Sequence, residues 1–146
     1  MSKATVITAP NMQTKSLLAL LSLVLVALAL FMGTAFAGSP SAWQNQELKV
    51  KGTWMIEERA DGNYLVLSED FKTKNAPDLK FFVTKNTYGA VTGDNATNGA
   101  VQIAKLNKNK GGQSYKIPAS VNLDDYQSLV LHCEQYSKLW ASTPLK

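Results

Sequence analysis

The stretch Leu48-Lys49-Val50-Lys51-Gly52-Thr53-Trp54-Met55-Ile56 decides the fold class. Leu48, Val50, Gly52, Trp54 and Ile56 recur at period two, with Lys49, Lys51 and Thr53 between them. Alternate residues of a strand point to opposite faces, so the pattern predicts a half-buried β-strand. Asp61-Gly62 is a hairpin signal, and Tyr64 to Leu67 returns as the partner strand. Further along, Asn75-Ala76-Pro77-Asp78 reads as a turn, after which Leu79, Phe81 and Val83 alternate with Lys80, Phe82 and Thr84. Tyr88 to Gly99 reads as a long loop, and Val101 to Leu106 as either a strand or a short helix. Lys110-Gly111-Gly112 turns the chain into a strand over Ser114 to Ile117. Asn122 is placed to cap one helical turn through Asp125. Ser128 to Cys133 is a strongly apolar strand, with Leu129, Leu131 and Cys133 on one face and Ser128, Val130 and His132 on the other. Leu139 to Ala141 reads as a last strand. About seven short strands separated by turns predict an all-β domain over 48–146, a β-sandwich or small Greek-key barrel.

The N-terminal part has a different character. Met1 to Ser16 is polar and carries Lys3 and Lys15; Leu17 to Met32 is apolar but for Ser22; Ala35-Phe36-Ala37 closes the segment. A basic start, an apolar middle and small residues at −3 and −1 define a signal peptide over 1–37, with cleavage expected before Gly38. The alternative is an uncleaved anchor helix, because 17–37 is just long enough to span a bilayer. Either way the rest is expected outside the cytoplasm, periplasmic or secreted, with membrane contact only through 17–37. Residues 38–47 read as a flexible lead-in.

Charge and composition exclude several functions. The chain has 15 basic and 11 acidic residues, and 38–146 carries 13 and 11, a net charge of only +2. Arg59 is its one arginine. Base and phosphate readers lean on arginine, so nucleic-acid binding is excluded. The single histidine, His132, excludes His-pair metal motifs and bis-His haem; the absence of Cys-x-x-Cys-His excludes covalent haem attachment. No Gly-x-Ser-x-Gly elbow or phosphate loop is present, so a stand-alone enzyme is not indicated. Gly93 to Gly99 lacks the ligands of a calcium loop. Asn95-Ala96-Thr97 is a glycosylation sequon, relevant only in a eukaryotic secretory pathway. The lysines at 105, 108, 110 and 116 read as a solvated hairpin.

Cys133, the only cysteine, is the candidate site. On an apolar face a free thiol packs as a small hydrophobe. The alternative is chemistry: a redox thiol or a soft ligand to iron. Glu134 would oppose ionisation of the thiol, and Lys138 would favour it if the chain turns back. A metal deprotonates a coordinating thiol outright, so ligation ranks above bare thiol chemistry. His132 and Cys133 lie on opposite faces and cannot hold one metal unless a bulge intervenes.

Three runs carry a family resemblance in the front half: Gly52-Thr53-Trp54, Leu67-Ser68-Glu69-Asp70-Phe71 and Ala76-Pro77-Asp78-Leu79-Lys80-Phe81-Phe82-Val83. Three more follow: Gly112-Gln113-Ser114-Tyr115-Lys116-Ile117-Pro118, Val121-Asn122-Leu123 and Tyr126-Gln127-Ser128-Leu129-Val130-Leu131-His132-Cys133. Together, over about 48–145, they resemble the DM-thirteen domain, an extracytoplasmic family proposed to act in electron transfer and found beside DOMON domains in animals. The resemblance implies a redox role resting on the lone cysteine, matched here by Cys133 and acting bare or with haem. Members commonly have an aromatic residue just before that cysteine; this chain has His132. Two functions stay open: an exported redox domain using Cys133 with a protein partner, or a non-enzymatic binding or surface module whose Cys133 is only core.

Overall fold

The computed structural model describes residues 36–146. The apolar segment of the expected signal peptide, up to residue 35, lies outside the described residues. All strand pairing is antiparallel. The first sheet holds β1 (Phe36–Ala37), β2 (Ser41–Ala42), β4 (Thr53–Arg59), β5 (Gly62–Leu67) and β8 (Gln113–Lys116). Its order is β1-β4-β5-β8, with β2 also paired to β4. The second holds β3 (Asn45–Gln46), β6 (Leu79–Thr84), β7 (Val101–Lys105), β9 (Ser128–Cys133) and β10 (Lys138–Pro144), in the order β3-β10-β9-β6-β7. Neither sheet closes on itself, so the domain is a β-sandwich and not a barrel. Seven of its strands are four residues or longer. Among the described residues helix is confined to three single turns; the one at Leu123–Asp125 is capped by the Asn122 side chain, which accepts from the Asp124 amide.

The core lies between the sheets. Trp54, Leu65, Leu67 and Tyr115 from the first sheet meet Leu79, Phe81, Val83, Leu129, Leu131 and Trp140 from the second. The alternation of 48–56 holds, with Val50 and Trp54 buried and Lys49 and Lys51 exposed. The strand itself begins only at Thr53. Gly52, at φ 84°, breaks the run, and a Cβ there would lie 2.8 Å from the Phe71 backbone. A non-glycine residue is therefore excluded by both conformation and space.

Residues 38–47 form more than a flexible lead-in. Ser41–Ala42 pairs with β4 in the first sheet, and Asn45–Gln46 with β10 in the second. Trp43, at the crossing between sheets, is 5% exposed. Its ring tilts against Trp54 at 6.3 Å and stacks on Phe81 at 6.2 Å. Burial of this ring is what orders the segment. Val101 to Leu106 resolves as strand β7, paired with β6. The long loop between β6 and β7 is packed over the outer face of the second sheet, where Val91 and Ala96 cover Phe82, Val130 and Leu139. Both faces of β6 and β9 are therefore covered, which explains why 128–133 is buried throughout.

Candidate functional site

Cys133 is the last residue of β9, in register with Leu79 of β6 and Lys138 of β10. Strand parity turns its thiol inward with Leu129 and Leu131, and it is 0% exposed. The chain then makes the turn Glu134–Tyr136, which ends at Ser137 in the left-handed region at φ 46°. The turn's side chains are exposed, so the thiol lies one residue from solvent along the chain and is sealed in the core across it.

The chain does turn back, bringing Lys138 beside Cys133, but neither neighbouring charge is free to act on the thiol. The Lys138 ammonium pairs with Glu47, and the Glu134 carboxylate pairs with Lys80. Lys80 also meets Asp78 at 3.1 Å, and Lys105 meets the same carboxylate at 3.3 Å. Lys80 first, and then Lys105, hold the Asp78 carboxyl below its ordinary value. Glu134 first, and then Asp78, hold the Lys80 ammonium above its own. The Glu134 amide donates to the Asp78 carbonyl at 3.3 Å. These charges latch the turn onto the β6 strand. In the sequence Asp78 reads only as part of a turn, and the period-two pair Asp78-x-Lys80 is the one local trace of the latch.

His132 points the other way, as expected. Its Nε2 donates to the Gly93 carbonyl at 2.9 Å, and its ring meets Phe82 edge-on at 6.3 Å. Nδ1 is buried and has no hydrogen-bond partner among the described residues. The register shift in this region falls between Leu139 and Ala141 of β10, leaving the parity of β9 intact. His132 therefore fastens the long loop and cannot share a metal with Cys133. It packs edge-on against Phe82 as an aromatic ring would.

The family model described as Electron transfer DM13 matches residues 42–145. The chain belongs to this family. A comparison with curated proteins finds no match, and neither does one with solved structures. The DM13 match starts ten residues before the first of the resembling runs and takes in Trp43 and β3, in keeping with Trp43 lying in the core. Haem is the cofactor the resemblance raises, and the surroundings of Cys133 do not fit it. An axial thiolate needs an open face beside Sγ, whereas this thiol is fully enclosed and lines none of the surface grooves described. Among the described residues no cluster of three His, Cys, Asp or Glu side chains is arranged to hold a metal.

Proposed function

We propose that this chain is an exported electron-transfer domain whose redox group is the Cys133 thiol. The DM13 match, which ends beyond the only cysteine of the chain, carries the reading. Export rests on the series Lys15, Leu17 to Met32 and Ala35-x-Ala37. The complete enclosure of Sγ favours thiol chemistry over haem ligation in this reading, with opening of the Glu134–Ser137 turn as the proposed route to the thiol. With the Glu134–Ser137 turn open, the thiol loses its proton to water and the thiolate attacks a partner's disulfide. A bond forms from Cys133 to one partner sulfur, the partner's S–S bond breaks, and its other sulfur leaves as thiolate. A small-molecule thiol attacking Cys133 Sγ then releases the partner as its dithiol and leaves a small mixed disulfide on Cys133. A second such thiol frees Cys133, so the two small thiols supply the electron pair and leave joined as their own disulfide.

Oxidised glutathione tests the thiol directly. On the redox reading, the native protein acquires one glutathione adduct, read by intact mass and absent in Cys133→Ala. A thiol that reacts only in denaturant overturns it. That outcome is also the signature of the second reading, a binding module with a structural cysteine, which the complete burial of Cys133 favours. A visible absorption spectrum of protein from its native compartment shows directly whether a coloured cofactor accompanies it. Intact mass of the same material tests export: the mature chain is expected to begin at Gly38, and a mass including 1–37 means retention.

A further inference from the structure

Three Lys-x-Lys pairs stand far apart in the sequence: Lys49 and Lys51, Lys72 and Lys74, Lys108 and Lys110. The fold brings them side by side. Lys51 bridges Lys72, and Lys72 bridges Lys110, both antiparallel. Backbone bonds knit the three segments into a small ribbon: Lys51 N to Lys72 O at 2.8 Å, Thr73 N to Asn109 O at 2.9 Å and Gly111 N to Phe71 O at 2.8 Å. Val50 and Thr73 point inward and are buried, so the flanking lysines point outward. The same register that aligns Lys51, Lys72 and Lys110 aligns Lys49, Lys74 and Lys108 in a second row. Six lysines thus form a two-by-three array, about 5 Å apart across the ribbon and about 7 Å apart along it.

All six are exposed, and none makes an ion pair among the described residues. Like charges directly opposite across an antiparallel pair cost stability, and here the register lines up three. No packing role accounts for them. The acidic residues lining the adjoining groove are Glu69 and Asp70. The remainder of 38–146 holds seven basic and nine acidic residues, so the domain is electrically polarised, with its positive pole at this ribbon.

We propose that the lysine array is the docking surface for an acidic protein partner. Lysine supplies point charge without arginine's planar fork, which suits attraction to a diffuse field over the reading of one bound group. Charge of this kind speeds encounter and orients it, and it suits short-lived complexes with small contact areas. An anionic membrane fits less well. Surface-seeking proteins add apolar side chains that enter the lipid, and the exposed large hydrophobics described here are Tyr88 and Tyr136, neither in the array. The proposal rests on the electron-transfer reading only in requiring a partner that comes and goes.

Poly-L-glutamate is the probe, with vesicles of phosphatidylglycerol and phosphatidylcholine as the competing surface. The combined variant Lys51→Gln, Lys72→Gln, Lys110→Gln is compared with Lys85→Gln, Lys116→Gln, Lys146→Gln, which removes the same charge elsewhere. The expected result is salt-sensitive binding of polyglutamate that falls about tenfold or more in the array variant and less than about twofold in the control. Thermal unfolding of the array variant, no lower than wild type, shows that the fold is retained. Three results overturn the proposal: no polyglutamate binding at low salt, equal losses in the two variants, or vesicles binding more tightly than polyglutamate with the same loss in the array variant. None of these readings involves a redox change. Binding with an inert thiol therefore leaves the array proposal standing and removes the redox one, and the converse result does the opposite.

Discussion

Replacing Cys133 separates a sealed thiol from an accessible one before any redox assay. The side chain is 0% exposed and sits in one apolar cluster with Leu79, Leu129 and Leu131. Cys133→Ala removes one sulfur atom and leaves a small void. By comparison with a buried methylene plus its cavity, the cost is about 1 kcal/mol. Cys133→Ser nearly keeps the volume but places a hydroxyl in an apolar cluster, which costs about 1–3 kcal/mol. The polar replacement is therefore expected to be the less stable of the two, although it is closer in shape. Urea unfolding at constant slope gives both differences from the midpoints. In heat the Ser variant should melt roughly 4–8 °C lower per kcal/mol lost. A Ser variant as stable as wild type, or more stable than the Ala variant, would refute the sealed-core description, because only a site that meets water or a polar partner tolerates the hydroxyl.

Three further outcomes follow from the packing. Trp43→Ala should cost about 3–5 kcal/mol in urea unfolding, since its ring bridges Trp54 and Phe81; a cost below about 1 kcal/mol would return 38–47 to the status of a lead-in. Gly93→Ala should cost about 1–3 kcal/mol, because the new Cβ would fall 2.2 Å from the Ser137 carbonyl oxygen, a backbone atom that cannot swing aside; an unchanged urea midpoint would show that the long loop is not held against the β9–β10 turn. Asp78→Asn should lower the thermal midpoint at neutral pH and make little difference in acid. The folded-state pKa of Asp78 is depressed, so its contribution is complete above the unfolded carboxylate value and disappears as pH falls through the folded one. The gap between variant and wild type is expected to start narrowing below about pH 4 and to vanish only in stronger acid, and a gap that does not narrow with acidification would show that the latch is not ionic.

What the sequence reveals and what it conceals divide along the range of the interactions. The inward placement of Cys133 and the outward placement of His132 follow from the parity of 128–133 alone, and the structure keeps that parity. The Asp61-Gly62 hairpin and the Asn122 cap are equally local and equally legible. Trp43 is different. Its burial depends on two-residue strands in separate sheets, too short to leave a periodic pattern. The partners of Glu134 and Lys138 lie 54 and 91 residues away, so the electrostatic setting of the thiol could not be read from its neighbours in sequence. The lysines show the same limit. Each Lys-x-Lys is an ordinary solvated strand face, and only the register of three distant segments makes an array of them.

The latch and the core hold Cys133 by different forces, which makes access to the thiol separable from stability of the sandwich. Opening the Glu134–Ser137 turn breaks the Lys80–Glu134 pair and the bond from the Glu134 amide to the Asp78 carbonyl. It leaves Phe81, Leu129 and Leu131 packed, since their contacts lie further along the strands. Local openings of this kind cost less than global unfolding. They also respond to different conditions: exposed ion pairs weaken with salt, while apolar burial does not. If the thiol is reached through the turn, its trapping rate should rise with ionic strength while the urea midpoint stays in place. A rate that instead follows global unfolding would mean that the latch gates nothing and that Cys133 belongs wholly to the core.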